Sequence, residues 1–76
     1  MIIEVGNRSM KTFFLNGQEY CSEDSFTLLE LLNYFDYDVD IFILEYNKQI
    51  RKKQNWQQIK IENRDKIELI TIVGGG

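Results

Sequence analysis

One stretch of this sequence has the period of an α-helix, and it lies between segments whose composition is typical of β-strands. Its apolar residues recur at i, i+3, i+4 and i+7, which places them on one helical face: Leu28, Leu31, Leu32 and Phe35. Thr27 and Glu30 have the spacing of a capping box at the start of this helix. A single amphipathic helix must bury its stripe against another element, so we expect it to pack on a sheet formed by the rest of the chain.

The strand candidates lie on both sides of the helix. Asn16-Gly17 is the strongest short hairpin signal, and it separates two short runs that should pair with each other. We predict strands at residues 11–15, 18–22, 41–46, 49–51 and 66–73. This order favours an α+β, ubiquitin-like β-grasp: a mixed sheet of four to five strands with one helix packed across it and the last strand parallel to the first.

The length of 76 residues fits a single domain with a small core. We expect residues 1–9 to form an N-terminal extension or an extra edge strand. Residues 10–73 should form the β-grasp domain, and residues 74–76 a flexible glycine tail.

Composition argues against several classes of function. The net charge of -3 repels phosphate backbones, so we expect no nucleic-acid partner. One cysteine and no histidine leave no usual metal ligand set, so we expect no metal site. No nucleophile and base pair is visible, and we therefore expect a substrate or partner of other enzymes rather than an enzyme. The sequence shows neither a signal peptide nor a membrane-spanning stretch, which favours a soluble protein in a reducing compartment such as the cytoplasm.

The last three residues, Gly74, Gly75 and Gly76, follow directly on the final predicted strand. Glycine has no Cβ, so Gly74 and Gly75 can thread a narrow channel that would exclude any side chain. The reactive group delivered would be the α-carboxylate of Gly76. Attack on the α-phosphate of ATP would turn this carboxylate into a mixed anhydride, which a nucleophile can open. We expect the chain to bind no cofactor itself, since the partner adenylating enzyme would supply ATP and Mg²⁺.

From about Lys11 to Gly76 the sequence resembles the ThiS family, the ubiquitin-like sulfur carriers of thiamin thiazole biosynthesis. The order and spacing of short pieces carry the resemblance: Phe14-Leu15-Asn16-Gly17, Thr27-Leu28-Leu29-Glu30-Leu31-Leu32, Glu45-Tyr46-Asn47, Trp56, Asp65-Lys66-Ile67-Glu68 and Val73-Gly74-Gly75-Gly76. The family usually has Gly-Asp before its last strand, where this chain has Arg64-Asp65. We expect Asn63 to take the left-handed position there, or the turn to be rebuilt.

The resemblance implies a sequence of reactions at the C-terminal tail. Gly76 would be adenylated by an E1-like adenylyltransferase of the ThiF type and converted to a thiocarboxylate with sulfur from a donor such as a cysteine desulfurase. Thiazole synthase of the ThiG type would then accept the sulfur. Richness in Ile, Asn, Lys and Tyr also suits an AT-rich plastid genome, so the plastid stroma is a second expected compartment. A free carrier is expected to be monomeric.

Two alternatives share the fold and the terminal glycines: the small subunit of molybdopterin synthase and the ubiquitin-related modifiers. The former commonly carries a proline pair before its tail, and this chain has no proline. A third alternative is a non-catalytic β-grasp interaction module with an inert tail.

Alternation along the two central strands predicts a partner-docking face. It assigns four residues to the helix-facing side: Ile41, Ile43, Ile67 and Leu69. It leaves four residues on the opposite face: Phe42, Leu44, Ile70 and Ile72. Exposed apolar patches mark partner surfaces, so the second set is expected to dock the adenylating enzyme and thiazole synthase, with Leu44 and Ile70 as the main contacts. The alternative is that residues 1–9 or a second copy of the chain cover this face.

Overall fold

The computed structural model describes residues 10–72, which form one α-helix and a five-stranded mixed sheet. The strands are β1 (Lys11–Leu15), β2 (Gln18–Ser22), β3 (Phe42–Tyr46), β4 (Gln49–Arg51) and β5 (Lys66–Thr71), and the helix is α1 (Leu28–Tyr34). The sheet order is β2-β1-β5-β3-β4, with β5 parallel to β1 and antiparallel to β3. The predicted β-grasp fold is therefore confirmed. The predictions for residues 1–9 and for the glycine tail lie outside the described residues.

The two local signals of the sequence form as predicted. Asn16 and Gly17 both have positive φ angles, 52° and 82°, as the hairpin turn requires. The Asn16 side chain also accepts a hydrogen bond from the Leu69 N–H (2.7 Å), which ties the hairpin to β5. Thr27 and Glu30 form the reciprocal capping box at the start of α1. No helix within residues 10–72 is long and apolar enough to cross a membrane.

The core lies between α1 and one face of the sheet. The buried apolar residues come from every part of the described chain: Phe13, Leu15, Leu28, Leu31, Leu32, Leu44, Trp56, Ile61, Ile67 and Leu69. Trp56 closes one end of this core, and its indole N–H donates to the Arg51 carbonyl (2.9 Å). Cys21 is only half-buried, with its Sγ 3.6 Å from the Thr12 hydroxyl.

A buried carboxylate joins the end of β3 to the start of β5. Asp65, which is 6% exposed, accepts hydrogen bonds from the Tyr46 hydroxyl (2.5 Å), the Asn47 side-chain amide (3.0 Å) and the Glu62 N–H (2.7 Å). Asn47 in turn accepts from the Lys66 N–H (2.8 Å). Two of the sequence pieces that resemble the ThiS family therefore meet in one network, which satisfies a group that would be costly to bury alone.

The turn before β5 is rebuilt relative to the Gly-Asp turn that the ThiS family usually has there. Arg64, with a φ of 74°, takes the left-handed position that glycine favours, while Asn63 uses its side-chain oxygen to accept a hydrogen bond from the Thr12 N–H (2.8 Å). The turn thereby anchors the start of β1, which explains why asparagine is useful here without adopting the left-handed conformation.

Tyr46 gives the buried network a measurable pH dependence. Burial, followed by the hydrogen bond to Asp65 and its negative charge, raises the pKa of Tyr46 well above the ordinary tyrosine value of about 10. A raised folded-state pKa contributes stability that is complete below the unfolded pKa and is lost as pH rises through the folded pKa. We therefore expect the free energy of unfolding, measured with urea from about pH 9 to about pH 11, to fall more steeply for the wild type than for Tyr46→Phe. Parallel curves for the two proteins would contradict this expectation.

Candidate functional site

The described chain ends at Ile72, shortly before the predicted tail residues 74–76. The Ile72 N–H donates a hydrogen bond to the Ile41 carbonyl (2.8 Å), which continues the β5–β3 pairing beyond the end of β5. The place where the chain leaves the sheet is therefore fixed beside the 3₁₀ turn Val39–Ile41. The predicted reactive carboxylate of Gly76 and the threading residues lie outside the described residues and stay predictions.

Exposed isoleucines surround this point of exit. They are between 37% and 49% exposed, and we call them the isoleucine patch: Ile41, Ile43, Ile70 and Ile72. Ile43 lies directly opposite Ile70 in the register of β3 and β5. Apolar side chains left this exposed in a cluster are typical of a partner surface, and here they adjoin the point where the described chain ends, two residues before the predicted functional tail.

The predicted docking face is half right. Ile70 and Ile72 are exposed as predicted, and Ile67 and Leu69 face the core. Leu44, however, is fully buried, and Phe42 packs against the core with its ring edge-on to Tyr37 at 5.4 Å. The two residues that take their places in the patch are Ile41 and Ile43, which were assigned to the helix side. Docking itself remains a prediction for this corrected set.

The two faces of β3 are predicted wrongly because residues 41–44 are all apolar. A strand whose residues are all apolar shows no alternation that would indicate which face is buried. Pairing with β5 sets the register instead, and it brings Leu44 opposite Leu69. One residue in the sequence does indicate which face of β3 is exposed. Glu45 must face solvent on a strand this central, and by alternation Ile43 shares its face.

Two carboxylates border the isoleucine patch. Glu45 lies directly opposite Glu68, on the same outer face as Ile43 and Ile70 and two residues further along the strands. Like charges that face each other across a strand pair are destabilising. The arrangement offers an apolar contact area with a negative border, which suits a partner surface that combines apolar side chains with arginine or lysine.

Comparison with known proteins agrees with this geometry. The model of the ThiS family matches residues 13–76, including the final glycine. The protein ycf40 of Trieres chinensis is 56% identical over 66 residues, which cover 87% of this chain and 90% of that protein. The sulfur carrier protein ThiS of Bacillus subtilis is 35% identical over 63 residues, which cover 82% of this chain and 96% of that protein.

A solved structure supports the fold independently. The crystal structure of the thiamine biosynthesis protein (ThiS) from Geobacter metallireducens superposes with a TM-score of 0.74 at 19% identity, and the match covers 86% of this chain and 99% of that one. The sequence match runs through the final glycine, and the described strands end beside an apolar patch of the kind that docks partners. This chain belongs to the ThiS family.

Proposed function

We propose that this chain is a sulfur carrier that acts through the α-carboxylate of Gly76. The observation that carries the proposal is the extent of the family match, which reaches the last residue and so includes the triglycine tail. The relative from Bacillus subtilis, matched over 96% of its length, is named a sulfur carrier protein. In this function the chain is a substrate that partner enzymes modify and discharge.

The chemistry follows from what a carboxylate can and cannot do. A Gly76 oxygen attacks the α-phosphorus of ATP on an E1-like adenylyltransferase of the ThiF type, and pyrophosphate leaves. Sulfide, released when a thiol reductant cleaves the persulfide of a donor such as a cysteine desulfurase, then attacks the acyl carbon, and AMP leaves with one of the original oxygens. The partner supplies ATP, Mg²⁺ and the positive charge that stabilises the transferring phosphoryl group. The product is a thiocarboxylate.

The position of the patch supports this role for the tail. The Ile72 N–H bond to Ile41 fixes the end of the described chain, two residues before the tail, and the isoleucine patch surrounds that position. A partner bound on the patch therefore receives the tail at a defined place, which limits the entropy lost when the glycines enter an active site. We propose that the adenylyltransferase and thiazole synthase of the ThiG type both dock here. The proposed compartment is the cytoplasm or the plastid stroma.

Intact mass spectrometry tests the proposal. The purified chain is incubated with a ThiF-type adenylyltransferase and a sulfide source, with and without ATP. A mass gain equal to the replacement of one oxygen by sulfur, seen only with ATP, is expected. An unchanged mass with enzymes that charge other ThiS proteins would contradict the carrier function. A mass equal to a covalent adduct with another protein would instead support a ubiquitin-like modifier.

The docking face has its own test in a pair of identical substitutions. Ile70→Lys places a charge in the centre of the isoleucine patch, whereas Ile50→Lys alters a more exposed isoleucine outside the patch, on the edge strand β4. Burying an unpaired charge at the centre of an interface is costly, so we expect the rate of ATP-dependent charging to fall about tenfold or more for Ile70→Lys. The Ile50→Lys control should stay near the wild-type rate. Equal charging rates for the two variants would show that the isoleucine patch is not part of the docking face.

A further inference from the structure

A groove lies between β2 and α1, separated from β5 by β1. Its volume is about 1150 Å³, above the range of roughly 300 to 1,000 Å³ that is usual for small-molecule pockets. Aromatic and apolar side chains line most of it: Phe13, Tyr20, Phe26, Leu31, Tyr34 and Phe35. Its size and its position along the edge strand β2 suit a polypeptide segment.

The floor of the groove is built into the core. Phe13 and Leu31 are buried, and the Phe13 ring stacks on Tyr20 with centroids 5.7 Å apart. Tyr20 in turn contacts Phe35 from the end of α1, with centroids 5.1 Å apart. Because these rings are fixed by one another, the groove is preformed and an incoming side chain need not order it.

Carboxylates form the rim of the groove. Negative charge at the groove comes from exposed acidic residues that include Glu19, Asp24 and Glu30, and its described lining residues contain no lysine or arginine. Glu30 also accepts the capping hydrogen bond from the Thr27 N–H at the start of α1. The local field therefore favours a ligand that carries positive charge.

The β2 strand presents an open edge along the groove. In a hairpin with a two-residue turn, Leu15 and Gln18 form a hydrogen-bonded pair, so the backbone groups of Glu19 and Cys21 point away from β1. Outside the β1–β2 pairing, no backbone bond from residues 10–72 reaches Glu19 or Cys21. Both residues also line the groove. The groove thus combines free strand hydrogen-bonding groups with an apolar floor.

We infer that the β2–α1 groove is a docking site for an extended segment of a partner protein that has alternating apolar residues and flanking lysine or arginine. The segment adds a strand to β2 through Glu19 and Cys21, as in recognition by β-strand addition. Alternate side chains enter the aromatic groove, and the flanking cations lie against the acidic rim. Bound in this way, the segment leaves the isoleucine patch uncovered, so the inference does not depend on the proposed sulfur-carrier function.

A titration followed by NMR tests this inference on the full chain. The probe is an acetylated, amidated peptide of about ten residues with alternating valine and threonine between pairs of arginine and lysine. We expect shifts confined to β2, Asp24 and the end of α1, and slower hydrogen exchange of the Glu19 and Cys21 amides. A peptide with glutamate in place of the basic flanks should bind about tenfold more weakly. N-methylation of alternate peptide residues, which removes strand hydrogen bonds, should weaken binding by a similar factor.

Matched charge reversals locate the site. Asp24→Lys should weaken binding of the basic peptide about fivefold or more, whereas Glu62→Lys, a charge reversal at an exposed position before β5 and outside the groove, should leave it unchanged. Shifts centred on the isoleucine patch would overturn the inference, as would equal affinity for the glutamate-flanked peptide. It would also be overturned if a peptide with the sequence of residues 1–9 bound more tightly than the basic peptide, since the groove would then fit this chain's own N-terminus. None of these results depends on whether the chain carries sulfur.

Discussion

Removal of Gly75 and Gly76 is expected to abolish the ATP-dependent gain of sulfur mass completely, while the circular dichroism spectrum and the urea midpoint stay at their wild-type values. The new terminal carboxylate lies two residues short, a distance of up to about 7 Å, which places it outside bonding range of a fixed α-phosphate. The fold is spared because, within residues 10–72, every buried core residue lies between Phe13 and Leu69. Intact mass spectrometry and circular dichroism on the same preparation give both readouts.

A second tail variant distinguishes the effect of tail length from the effect of the width of the partner's channel. Gly75→Leu keeps the chain length but adds a side chain where the proposed channel admits only glycine, so it too should lose charging. A truncated chain that still gained sulfur would show that the modified group is not the terminal carboxylate. A Gly75→Leu chain that charged normally would retain the carboxylate chemistry but rule out a narrow channel.

The second large effect is expected for two neighbours in β3. Leu44→Ala removes a fully buried side chain and should lower the free energy of unfolding by about 2 to 5 kcal/mol. For a small domain whose total stability is roughly 4 to 11 kcal/mol, this is a large share. Ile43→Ala, at a position that is 37% exposed, should cost about 1 kcal/mol or less. Urea denaturation of the two variants measures the difference.

The same two variants should show the reverse order in the rate of charging by the partner enzyme. Ile43→Ala removes contact area from the isoleucine patch and should slow charging while the chain stays folded. Leu44→Ala, assayed at a temperature where circular dichroism shows it folded, should be charged at close to the wild-type rate. A larger loss of stability for Ile43→Ala than for Leu44→Ala would contradict the register described above.

Local signals account for most of the fold that could be predicted. Asn16-Gly17 specifies a turn through backbone preference alone, and the Thr27–Glu30 box begins a helix by its own hydrogen bonds. The phase of β3 has no such local cause, because it depends on pairing with a strand more than twenty residues away. In β5 the exposed Glu68 lies between the buried Ile67 and Leu69, so the sequence itself alternates and indicates the phase. In β3 the four apolar residues before Glu45 show no such alternation.

The rest of the site depends on contacts that are distant in sequence. Asp65 is an acidic residue in a turn, and nothing local indicates that Tyr46 and Asn47 will bury and satisfy it. The β2–α1 groove likewise joins Tyr20 to Phe35, each of which in isolation is an ordinary half-buried aromatic residue. Surfaces of this kind follow from the tertiary arrangement, so they become visible only when the strands and the helix are in place.

The facing carboxylates of Glu45 and Glu68 also affect self-association. In a symmetric dimer formed through the isoleucine patch with its two-fold axis parallel to the strands, each copy would bring its own pair towards that of the other, and four negative charges would be crowded beside an apolar contact. A partner with arginine or lysine at the same border would meet no such repulsion. The pair would thus discourage contact between identical copies in that orientation while leaving the patch open to the docking proposed for it.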